Sequence, residues 1–158
     1  MSNKLRTAIF VFLFIPIYLL LYTLLHEGGH ALIILAYGGK IDKFVLGLNA
    51  HVVSHGGDFT TFGAALNHAA GMLLPTIAGA ITASLYNTKN KLIGYHICYL
   101  WGTIALIFSV FPWIVIPMVS LFTEPPQGDD VTKLLGVVGI HPLLVSLGAL
   151  LLTGVFIY

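Results

Sequence analysis

Charge is what this sequence has least of. Asp, Glu, Lys and Arg make up 8% of its 158 residues, against about 25% in an ordinary soluble domain, and no run gathers them into a block. With a net charge of +1 and no basic cluster, the chain lacks the electrostatic footprint that nucleic-acid binding requires. Nucleic acid is therefore not a partner. Cysteine occurs once, at Cys98, so no internal disulfide can form, and in an apolar run the thiol reads as a small buried hydrophobe. No Pro/Gly/Ser-rich linker and no internal repeat divides the chain, which reads as one domain over residues 1–158.

What remains is hydrocarbon. Hydrophobic residues account for 58% of the chain, and its mean hydropathy is +0.96, which places it in a lipid bilayer as an integral, multi-pass protein. Residues 7–25, 59–88, 92–123 and 134–158 contain no Asp, Glu, Lys or Arg, and about 20 apolar residues suffice to cross the hydrocarbon as a helix. About four transmembrane helices follow, over 7–37, 63–88, 92–122 and 134–158. The first run follows Lys4 and Arg6 as a secretory leader would, but it is too long and lacks a small-residue cleavage site; it is expected to be retained. His141 and Pro142 cut the last run to about 16 residues, a little under the usual minimum, so the chain reads as ending early.

Residues 40–62, "KIDKFVLGLNAHVVSHGGDFTTF", are of another kind. Their β-branched and aromatic residues, partial alternation and Gly56-Gly57-Asp58 turn predict a small β-hairpin or sheet after the first helix. An open strand edge survives at membrane depth only beside protein or a wet cavity. The fold class is thus an all-α polytopic membrane protein with one small β insertion, lying at the interface or dipping into a cleft.

Polar residues then stand out. "HEGGH" at 26–30 interrupts an apolar run, and on a helix residues i and i+4 share a face, so His26 and His30 can aim ring nitrogens at one Zn2+. Glu27, about 100° round, can serve as general base toward a water there. A catalytic zinc takes three protein ligands. One more is required. Alternating crossings place both His26 and the 123–133 loop, "TEPPQGDDVTK", towards the same membrane face. The other role open to the motif residues is polar stitching between helices, although ionisable groups inside spans usually mark a functional path. Gly28 and Gly29 either leave room for a backbone or substrate near the metal or pack helices together.

HEGGH at the end of a membrane helix, the β-segment behind it, "HAAGMLLP" in the next helix and a later aspartate resemble the site-2 protease family of intramembrane zinc metalloproteases, particularly its small divergent members. The resemblance covers roughly residues 18–140. It implies a three-helix catalytic core, zinc held by His26, His30 and a distant aspartate, and hydrolysis of a peptide bond of a transmembrane protein or peptide substrate in or near the bilayer. The family's Asp-Gly-Gly-Arg-like motif is best matched by "DVTKLL" with Asp130 as ligand and Lys133 at the basic position. Asp129 is the alternative ligand, its other role being to cap a helix beginning near Val131.

Two departures accompany the likeness. Val131 and Thr132 replace the family's glycines, and "AGMLLP" lacks its asparagine after Gly-Pro. Asn67 and His68, one turn earlier, are candidate donors to an oxyanion or polar packing residues, while His51, His55, His96 and His141 carry no assigned site role. No Gly-x-Ser-x-Gly turn is present for a serine mechanism, and neither Tyr-Asp nor Gly-x-Gly-Asp for a paired-aspartate one. The alternative from a different class is a catalytically silent, metal-binding membrane scaffold that recognises transmembrane partners. Orientation is undecided by charge, with Lys4, Arg6, Lys89 and Lys91 on one side against Lys40, Lys43 and Lys133 on the other; the resemblance favours a cytosolic site.

Overall fold

The computed structural model describes residues 3–157. The chain forms α1 (Asn3–Ala36), β1 (Lys40–Val45), β2 (His51–His55), α2 (Thr61–Ser84), α3 (Ile93–Ile107), a 3-10 turn (Phe108–Val110), α4 (Phe111–Val119), α5 (Asp130–Val138) and α6 (Pro142–Ile157). It is mostly helical with one small antiparallel sheet. Three stretches are long and apolar enough to cross a membrane, Leu5–Ala36, Thr61–Ser84 and Ile93–Val119, and Pro142–Val155 is a shorter apolar helix. The outward-facing surface of α1 explains its composition: Phe12 is 74% exposed and Leu13 59%, which in water would be a liability but against acyl chains needs no partner. The protein is an integral, multi-pass membrane protein.

Several boundaries differ from those read along the sequence. The third run is interrupted at Phe108–Val110 by a 3-10 turn, just before Pro112 opens α4. Proline lacks the N–H that a continuous α-helix would use there. Residues 134–158 are not one helix, and residues 123–133 are not all loop. Asp129 caps α5, its side chain accepting from the Val131 N–H at 2.8 Å, so the helix starts four residues before the uncharged run does. Gly139 then ends it in the left-handed conformation, with φ of 65°, and Pro142 starts α6. Glycine adopts that conformation without a Cβ penalty.

The β insertion is a two-stranded hairpin, with Val45 opposite His51 and Lys40 opposite His55, and a register shift between Ile41 and Lys43. Asp42, at this bulge, accepts from His55 Nδ1 at 2.7 Å. Around the base of the hairpin, Tyr37 stacks on Phe59 with ring centroids 5.2 Å apart, while the Gly39 N–H donates to the Ile34 carbonyl. The hairpin is thus clasped to the end of α1.

Helix α2 is the centre of the bundle. Pro75 inside it removes one backbone donor, and the disturbed turn is bridged sideways: Thr76 Oγ1 and Ser109 Oγ both donate to the Met72 carbonyl, at 2.7 and 3.1 Å. The core continues through Met72, Val110, Trp113, Val131, Leu134 and Ala149. Val131 is 1% exposed, and together with Leu134 it presses α5 into this core. That packing sets which way Asp130 faces.

Candidate metal centre

His26, Glu27 and His30 lie in the last third of α1, beside a polar cavity of about 440 Å³. The cavity's other walls are β2 with the residue before it (Ala50, His51, Val52, Ser54), α2 (Asn67, His68) and the start of α5 (Asp129, Asp130, Lys133). Residues 26–34 span about 12 Å of helix and residues 50–54 about 13 Å of strand. The hairpin therefore folds back along α1 rather than projecting away from it, so its strand reaches the level of the HEGGH turn.

Four residues apart on one helix face, the two motif histidines bring Nε2 atoms within 3.4 Å of each other. Asp130 Oδ2 lies 3.3 Å from His26 Nε2 and 3.1 Å from His30 Nε2. These three atoms form a nearly equilateral triangle. Ligands at about 2.0–2.1 Å around a tetrahedral zinc stand roughly 3.3–3.4 Å from one another, so the triangle has the dimensions of one face of such a tetrahedron. The tautomer agrees. His30 Nδ1 is 2.8 Å from the Asn67 carbonyl, which can only accept, so Nδ1 carries the proton and Nε2 keeps its lone pair. His26 Nδ1 is buried without a hydrogen-bond partner among the described residues, which leaves its outer nitrogen unsupported.

Asp130 supplies the third donor of the triangle through Oδ2. Glu27 is 7% exposed and lines the same cavity without belonging to the triangle. The donor set and the spacing fit a zinc ion.

The two aspartates separate cleanly. Asp130 faces the histidines, whereas the Asp129 side chain caps α5. Asn67 and His68 both line the cavity: the Asn67 main chain holds His30 while its Oδ1 is buried without a partner among the described residues, and His68 Nδ1 stands 3.9 Å from Asp130 Oδ1. Of the remaining histidines, His51 lines the cavity. His55 pairs with Asp42, His96 meets Tyr86 and the Asn90 carbonyl, and His141 accepts from the Leu143 N–H at 3.3 Å.

Gly71 escaped the sequence reading. A Cβ there would lie 2.6 Å from His30 Nε2 and 2.7 Å from His26 Cε1, so the two rings occupy the space its missing side chain leaves. The available signal was a mid-helix glycine, which costs about 1 kcal/mol against alanine and needs a reason. Gly29 serves a different purpose, since a Cβ there would meet the Ala70 carbonyl oxygen at 2.2 Å. It lets α1 and α2 touch backbone to backbone; Gly28 would meet only Leu74, at 3.9 Å.

A contrast between two alanines follows. Gly71→Ala is expected to fold, because imidazole rings can swing aside, but to weaken zinc binding by about tenfold or more, as disturbing ligand orientation does. Gly29→Ala must separate two backbones, and is expected to lose folded protein before any question of metal arises. Zinc content and thermal stability of both variants in detergent test this; a Gly71→Ala protein with parental zinc affinity would refute the account of the cradle.

The fold and site together define a class: a multi-pass membrane protein whose first and fifth helices meet in a group of two histidines and one aspartate able to hold a metal. The chain belongs to the Peptidase M50B-like family, whose model matches residues 5–124. No curated protein and no solved structure matches it. The matched region contains HEGGH, the hairpin and α2 but stops short of Asp129 and Asp130, so the aspartate's place beside the histidines rests on geometry alone.

Proposed function

We propose that this protein is an intramembrane zinc metalloendopeptidase that hydrolyses peptide bonds of membrane-protein substrates in or near the bilayer. The observation that carries the reading is the donor triangle of His26, His30 and Asp130 with Glu27 buried at the same cavity. When bound, zinc would supply Lewis acidity, polarising a carbonyl and lowering the pKa of water to about 7.

The chain's own groups do the rest. Glu27, one residue past a ligand and outside the triangle, takes the proton from the attacking water and returns it to the departing amine. A helix hides its peptide bonds in internal hydrogen bonds, so the substrate must be extended at the point of attack. His51, Val52 and Ser54 of β2 line the cavity, and the edge of β2 that does not pair with β1 is the one open to such a segment.

Purified full-length protein is expected to carry close to one zinc per chain and to cleave a reconstituted transmembrane peptide, with a chelator removing both properties and added zinc restoring both. Cleavage that survives complete zinc removal would overturn the mechanism. A zinc-loaded protein that captures membrane peptides from a broad panel and cuts none would favour the scaffold instead.

A further inference from the structure

Asp130 has two oxygens, and the structure sorts them. Oδ2 faces His26 and His30 at 3.3 and 3.1 Å. Oδ1 is the oxygen nearer to His68 Nδ1, at 3.9 Å, and to Lys133 Nζ, at 3.8 Å. A free carboxylate can present one or both oxygens to a cation, and one that wavered between the two modes would blur the triangle.

We infer that His68 is a positioning residue, holding Asp130 Oδ1 outward so that Oδ2 alone completes the metal site, with Lys133 as a weaker second hold. The inference rests on the metal reading above and adds a role for α2. Asn67 and His68 are consecutive: the main chain of the first orients His30, and the side chain of the second reaches Asp130. Gly71, one turn further on, makes room for both histidine rings. Helix α2 thus contributes no donor to the triangle yet orients His30, reaches Asp130 and makes room for both rings.

His68 rather than Lys133 carries the larger share. The His68 side chain is 19% exposed and that of Lys133 47%, so the lysine contact is screened by solvent and held by a long flexible stem. At 3.9 Å the His68 contact is longer than a hydrogen bond, and a closure of about 1 Å brings it to N–H···O length. Outer-shell donors of this kind change metal affinity by about 10–100-fold when removed.

The test is a zinc titration against a chromophoric chelator, using the full chain in detergent, with the thermal midpoint of the metal-free protein measured alongside. His68→Ala is expected to weaken zinc about 10–100-fold while leaving the metal-free midpoint in place. His68→Asn, which keeps a donor, should recover part of the loss, and Lys133→Met should change affinity by less than about fivefold. A merely structural His68 would lower the metal-free midpoint in the alanine variant and show no rescue by asparagine. Zinc bound by the parent, lost in His30→Ala and kept at parental affinity in His68→Ala would overturn this inference alone. Parent protein that binds no zinc would overturn the metal reading with it.

Discussion

Glu27→Gln is expected to lower cleavage by about 10²–10⁴-fold and to leave zinc content where it was. The substitution keeps the shape of the side chain while removing its capacity to accept a proton, and Glu27 donates no atom to the triangle of His26, His30 and Asp130. Its burial at 7% exposure makes an isosteric change the appropriate one, since a smaller residue would leave a hole at the cavity wall. Single-turnover cleavage of a reconstituted transmembrane peptide, paired with zinc analysis of the same sample, reads both halves. Undiminished proteolysis in the glutamine variant would remove Glu27 from the mechanism, and loss of zinc would move it into the metal site.

The second large effect distinguishes two neighbouring carboxylates. Asp130→Asn is expected to lower zinc affinity by more than the roughly 10–100-fold that outer-shell changes cost, and to abolish cleavage, because it removes the only anionic donor of the triangle. Asp129→Asn is expected to keep most of both properties. Its carboxylate accepts from the Val131 N–H, and asparagine is about as good an N-cap as aspartate. The reverse pattern would require α5 to turn so that Asp129 faced α1, pulling Val131 out of the core where it is 1% exposed. Full zinc retention when both aspartates are replaced would break the connection between α1 and α5 altogether.

Family resemblance pointed to the same aspartate from another direction. It preferred Asp130 because that choice put Lys133 at the family's basic position, and Lys133 Nζ does lie 3.8 Å from Asp130 Oδ1. The capping role foreseen for Asp129 is present in the structure, at the start of the helix it was expected to begin. His68, a candidate oxyanion donor on the sequence, lines the cavity and also stands 3.9 Å from Asp130 Oδ1. Its neighbour Asn67 acts through its main chain, which no reading of side-chain types can anticipate. The cut expected at His141 and Pro142 is present, with Pro142 opening α6; the residues before it form a separate helix, α5, which Gly139 ends.

By itself the sequence determined the solvent, the approximate spans, the hairpin after the first of them, and the presence of HEGGH on a helix. These follow from local quantities: the scarcity of charge, the length of apolar runs, the partial alternation of residues 40–62 and the i, i+4 spacing of the two motif histidines. Only the tertiary structure decided which atoms meet. The triangle joins residues a hundred positions apart, and its dimensions depend on Gly29 and Gly71 bringing α1 and α2 close, on Val131 and Leu134 seating α5, and on which oxygen of Asp130 turns inward. None of these is a property of a residue type or a spacing. Each is set by the packing of one helix against another, where a single Cβ at Gly71, 2.6 Å from a ligand nitrogen, is enough to displace the ring that the site needs.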